Sequence, residues 1–163
     1  MPATTISNTR DLVVQLLGEL LFVERRLADT VLSDLVRDVQ DDELRELLRR
    51  HRDETKGHVD RVEQAFRRLG VASTSNLSRS FESAVAEHSD VSATIVEPRL
   101  ADIFHAQAAL KVEHWEMAAY RMLLPLVRRE VGELLRLTFA EEGEAAKLLV
   151  RALDRLGGAE RER

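Results

Sequence analysis

IFHAQAALKVEHWEMAAYRML, residues 103–123, is the stretch on which the fold turns. Ile103, Ala106, Leu110, Glu113, Glu116, Tyr120 and, just beyond, Leu124 recur at intervals of three and four. That is the period of an α-helix with one buried face. The face is apolar at both ends and carboxylate in the middle. Three other segments repeat the pattern: Leu17, Leu20, Glu24, Leu27, Val31, Leu35; then Leu44, Leu48, His51, Glu54, His58, Val62, Ala65, Leu69; then Leu135, Thr138, Glu142, Ala145, Leu149, Ala152, Leu156.

Around these stripes the spacing predicts four long helices, over about 8–39, 42–69, 99–126 and 129–156. A short amphipathic helix over about 80–88 falls in the connection between the second and third. Ser7, Asn8 and Thr9 suit an N-cap. Asp41-Asp42-Glu43 breaks the first helix and complements the positive end of the second, which stops at Gly70. Pro125 should kink or end the third helix, and Gly157-Gly158 should end the fourth, leaving AERER frayed. Two long hairpins joined by one crossover predict a single all-α domain over 1–163, an antiparallel four-helix bundle of the ferritin-like kind.

Composition narrows the function. Of 163 residues 44% are hydrophobic, 33% charged and only 4% aromatic, a profile of long helices. Net charge is -5, with both signs interspersed, so no basic face for nucleic acid is expected. Without cysteine the chain has no disulfide, zinc ribbon or iron–sulfur cluster of its own. No apolar run reaches the about 20 residues of a membrane span, and MPATTISNTR lacks the apolar stretch of a signal peptide. The expectation is a soluble cytoplasmic protein.

A carboxylate in a core is costly unless it is paired or metal-bound. Here every stripe carries one. Glu24 and Glu54 are equidistant from residue 39, at the acidic junction; Glu116 and Glu142 are equidistant from residue 129, at the last turn. Both pairs therefore fall near mid-bundle. Carboxylates gathered at one level repel unless cations balance them, and iron or manganese suits oxygen donors supplemented by imidazole. His51, one turn from the others, reads as a core or outer-shell residue; His105 and His114 read as interface or surface, and His88 as solvated. Tyr120 could donate a hydrogen bond into the site or simply pack.

Four segments then carry a family resemblance: LGELLFVERRL (17–27), HRDETKGHVDRVEQAFRRLG (51–70), KVEHWEMAAY (111–120) and, more weakly, FAEEGEAAKLL (139–149). The chain resembles the YciE/YciF family of stress-associated bacterial ferritin-like proteins, often described as ferroxidases and similar in plan to rubrerythrins and manganese catalases. The resemblance implies a homodimer and the metal ligands Glu24, Glu54, His58, Glu113, Glu116 and Glu142. This sequence departs from the pattern twice. The usual Glu-x-x-His is replaced by Glu54 followed by Gly57 and His58. On the last helix Ala145 and Ala146 stand where a second ligand is expected, so water, Glu116, Glu141 or Glu144 would complete the second metal.

The resemblance thus implies a di-iron, or else di-manganese, centre oxidising Fe(II) with O2 or H2O2. The alternative is a non-catalytic stress protein, a helical dimer working through partner contacts with a degenerate or empty site. A ferritin cage is disfavoured because no fifth helix follows Leu156.

Overall fold

The computed structural model describes residues 5–161; residues 1–4 and 162–163, which include parts of the N-terminal stretch and of the AERER tail discussed above, lie outside the described residues. Among the described residues every regular element is helical. The elements are α1 (Thr9–Arg26), a π-helical turn (Leu27–Val31), α2 (Leu32–Asp38), α3 (Asp42–Leu69), α4 (Arg79–Ser92), α5 (Pro98–Leu123), a 3-10 turn (Leu124–Leu126) and α6 (Arg129–Arg161). α1, the π turn and α2 form one rod antiparallel to α3, and α5 runs antiparallel to α6. Contacts of α3 with α6 and of α1 with α5 close the bundle, while α4 lies on α5.

Local chemistry explains the boundaries. Asn8, Asp41, Ser78 and Glu97 are N-caps whose side chains accept from the backbone N–H three residues on. Gly70 ends α3 with φ 67°, a left-handed conformation that glycine adopts without a Cβ penalty. Pro98 is the first residue of α5 rather than the end of the preceding junction, since a first-turn residue needs no N–H. α6 passes through Gly157-Gly158 to Arg161 instead of stopping there. α4 is longer than the spacing suggested, running to Ser92.

Two long-range anchors set the register. Buried Asp102 of α5 accepts the N–H groups of Gln40 and Asp41 at 2.9 and 2.8 Å, clamping the α2–α3 turn. The crossover after α3 lies across α1 at Gly18, whose carbonyl accepts Asn76 N–H at 2.9 Å. The core consists of two apolar clusters. One contains Val23, Leu27, Leu44, Leu48 and Leu149; the other contains Leu17, Leu20, Val62, Phe66 and Leu135. Between them lies a polar waist.

Candidate metal centre

α1, α3, α5 and α6 each send side chains into the waist. Glu24, His51, His58, Glu113, Glu116 and Glu142 are all buried. They form two groups of three that share Glu142: Glu24, His58 and Glu142, and His51, Glu113 and Glu142. Within each group one ligand atom per residue lies within 4.8 Å of the others. His58 Nδ1 is 2.9 Å from Glu142 Oε1 and 3.3 Å from Glu24 Oε2. His51 Nε2 is 3.0 Å from Glu113 Oε1 and 3.7 Å from Glu142 Oε2.

Surrounding groups fix these orientations. Tyr120 donates its hydroxyl hydrogen to Glu24 Oε1, so Glu24 Oε2 is left for the centre. Arg61 donates to both oxygens of Glu141, at 2.7 and 2.9 Å, and to Thr138 Oγ1 at 2.9 Å. Glu141 Oε2 in turn stands 3.0 Å from His58 Nε2, which turns Nδ1 inward. A carboxylate on the outer imidazole nitrogen is the usual way of orienting a metal-binding histidine. The π turn begins three residues after Glu24, and such turns recur next to functional sites.

The waist fits cations. Among the described residues, eight buried side-chain atoms lack a hydrogen-bond partner: Glu24 Oε2, His51 Nδ1, His58 Nδ1, Glu113 Oε2 and both oxygens of Glu116 and Glu142. All eight belong to the six waist residues. Each buried unsatisfied group costs about 1–3 kcal/mol. The ion pairs of His58 with Glu142 and Glu24 return part of that cost, while both Glu116 oxygens bear it in full. Oxygen donors with one imidazole per group are the donor set of iron and manganese.

Electrostatics agree. Burial pushes the Glu116 carboxyl well up, helped by Glu24, Glu142 and Glu113; burial also raises Glu24 and Tyr120. Burial alone would lower His58, but Glu142 and Glu24 overcome it and lift the imidazole to about 10. Glu142 is nevertheless raised to about 7, because burial and the neighbouring Glu113 outweigh what His58 returns to it. His51 is lifted well above its usual range, Glu113 prevailing over desolvation. A cation would take the place of these protons.

The structure gathers Glu24, His58, Glu113, Glu116 and Glu142 as the sequence suggested, and adds His51. It does not bring Glu54 into either group: its side chain is 41% exposed, with Oε2 3.8 Å from His51 Nδ1. The reason is angular. At about 100° per residue, His51 and His58 differ by only about 20° around α3, whereas Glu54 is turned about 60° from His51. Glu141 orients His58, and Glu144 pairs with Lys147 at 2.6 Å, so neither joins a group. Ala145 and Ala146 are buried. Away from the waist, His88 is half-buried rather than solvated, with Nε2 3.0 Å from Nδ1 of buried His105. Sequence reasoning missed Arg61 and Asp102, whose partners lie far away along the chain.

Comparison with known proteins follows the same lines. The profile of the family described as "Domain of unknown function (DUF892)" matches residues 8–160. Protein YciF of Escherichia coli K12 is 29% identical over 147 residues, 84% of this chain and 85% of that protein. The solved structure of the E. coli stress protein YciF superposes with a TM-score of 0.88 at 23% identity, covering 94% of this chain and 99% of that one. YcfI of Rhodopseudomonas palustris gives 0.87 at 21% identity, with coverage of 91% and 97%. Among the described residues no helix is long and apolar enough to cross a membrane.

Proposed function

This chain belongs to the DUF892 family, and on that footing we propose that it is a di-metal carboxylate protein that oxidises Fe(II) with O2 or H2O2. The observation that carries the reading is the set of eight buried atoms that make no hydrogen bond, all on the six waist residues. Glu24, His58 and Glu142 would hold one cation, and His51, Glu113 and Glu142 the other, with buried Glu116 beside them as a further carboxyl that makes no hydrogen bond. Iron is the first choice and manganese the alternative. When bound, the metal pair supplies one-electron redox chemistry toward dioxygen or peroxide.

The chain's own residues prepare that chemistry. Tyr120 and Glu141 fix Glu24 and His58 in place, which saves reorganisation when a cation binds. The apolar clusters on either side of the waist exclude bulk water. The protons held by His51, His58, Glu116 and Glu142 must leave as cations arrive, so uptake strengthens as pH rises. With no cysteine, the chain cannot carry the thiolate-bound iron that would feed electrons back to the centre. Oxidation of Fe(II), or disproportionation of peroxide, therefore fits better than sustained peroxidase turnover. A cytoplasmic stress role and a homodimer belong to the same reading, with Leu100, Trp115 and Met122 of α5 offering exposed apolar surface.

A second reading, a non-catalytic helical scaffold, draws on two observations. The histidines already pair with glutamates, and α6 offers Ala145 where a ligand was expected. Anaerobic Fe(II) titration separates the two. Two irons per chain, oxidised by O2 or peroxide faster than in buffer, are expected. No uptake would leave the scaffold.

A further inference from the structure

A cavity of about 280 Å³ opens between α3 and α6, beside the centre. Its charged lining consists of Glu54, Glu141, Glu144 and Arg50; behind it Arg61 holds Glu141, and Lys147 pairs with Glu144 at 2.6 Å. Ala140 and Ala145 keep its α6 wall low. Its inner wall includes His51, an almost wholly buried imidazole. Nε2 of that ring faces Glu113 and Glu142, while Nδ1, on the side of Glu54, has no hydrogen-bond partner. One side chain thus touches both the cavity and the waist.

We propose that this cavity is the inlet through which divalent cations reach the centre, held first by Glu54 and Glu144 and passed inward beside His51. The proposal rests on the di-metal reading. A closed bundle has to admit a hydrated cation somewhere, and Glu54 and Glu144 meet Arg50 and Lys147 in solvent-exposed ion pairs, which are weak enough for a cation to displace. The half-exposed Glu54 becomes intelligible on this view. It sits at the rim, near the ligands and outside both groups. Glu141, held on His58 by Arg61, lines the wall without taking part in the route. Arg50, with Nε 4.0 Å from Glu54 Oε1, restrains the rim carboxylate and opposes the cation.

Stopped-flow mixing of the metal-free protein with Co(II), read by its visible absorption, tests the route. The variant carrying Glu54→Gln and Glu144→Gln should take up Co(II) roughly tenfold more slowly at low ionic strength. The same final absorbance should be reached, and the difference should shrink in about 1 M salt, where charges are screened beyond about 3 Å. Arg50→Ala, on an exposed side chain, should accelerate uptake. Ala145→Leu, which fills the cavity, should slow it whatever the salt. Unchanged rates in the double variant would overturn the inlet. So would a lower final absorbance, because Glu54 or Glu144 would then be a ligand of the filled centre. A wild-type protein that develops no Co(II) spectrum would bring down the di-metal reading, and the inlet with it.

Discussion

At each end of the bundle the long helices meet through leucine, valine and phenylalanine; at the middle the same helices meet through four glutamates and two histidines. The ends follow the rule of apolar burial, which stabilises by about 1.5–3 kcal/mol per large aliphatic side chain. The waist runs against it, burying four carboxyl groups of which only Glu24 Oε1 and Glu113 Oε1 escape the set of atoms without a hydrogen bond. The ends therefore supply the stability that the waist consumes. The waist keeps its polar groups for something other than holding the fold together.

Matched substitutions in the two regions should have opposite signs. Leu17, fully buried in an apolar end, should lose about 2–5 kcal/mol on replacement by alanine. Glu116→Met, which fills a similar volume in the waist, should stabilise the metal-free protein by about 1–3 kcal/mol, because it removes a buried carboxyl that makes no hydrogen bond. The same change should weaken metal uptake. Urea unfolding of both variants, metal-free, gives the comparison directly. A Glu116→Met protein less stable than wild type would mean that the waist supports the fold in its own right.

The contrast between ends and waist is also what made the sequence readable. Stripes of period three to four fixed the long helices, and a carboxylate at the centre of an apolar stripe stood out in each. Glu113, Glu116 and Glu142 needed no more than that. His51 was harder to place. A Glu-x-x-His-like pattern selects Glu54 and His58, whereas two histidines seven residues apart share the inward face of α3 more closely. The π turn, the clamp from Asp102 and the Arg61–Glu141–His58 chain carried no local signal, because each depends on a partner brought near by folding. Gly157-Gly158 misled for a physical reason. Glycine weakens a helix by about 1 kcal/mol but does not forbid it, and neither residue takes the positive φ of a stop.

A pH series sharpens the comparison, since the waist carries the upward-shifted carboxyl and imidazole groups and the apolar side chains of the ends do not titrate. Glu142, raised to about 7, binds its proton more tightly in the folded chain than in the unfolded one. The stability this contributes is full below pH 4.5 and is lost as pH rises through about 7. His58, raised to about 10, contributes in the same sense from 6.5 upward. The metal-free protein should therefore lose stability steadily toward alkaline pH. The protein filled with metal, whose ligands have already given up these protons, should lose much less over the same range. Thermal melts of both forms measure it. A metal-free protein that gains stability toward pH 10 would show that the histidines do not hold these protons.

The smallest expected effect lies at the apolar end, where packing alone decides. A Cβ on Gly18 would stand 2.3 Å from Asn76 Nδ2 and 2.7 Å from its Cγ. Asn76 cannot simply swing away, because Nδ2 donates to the Gln15 carbonyl at 3.2 Å and to Gln15 Oε1 at 3.1 Å, tying the crossover to α1. In an open helix, Gly→Ala would add about 1 kcal/mol of stability. Overpacking at this contact costs about 1–3 kcal/mol, so a net loss of about 1 kcal/mol is expected for Gly18→Ala. The double variant Gly18→Ala with Asn76→Ala removes the clash and should recover part of that loss. If Gly18→Ala alone were stabilising, the crossover would not rest on α1 as tightly as the Asn76 contacts imply. Metal uptake should be unchanged in either variant, since Gly18 lies nearly two helical turns from Glu24 and touches none of the waist.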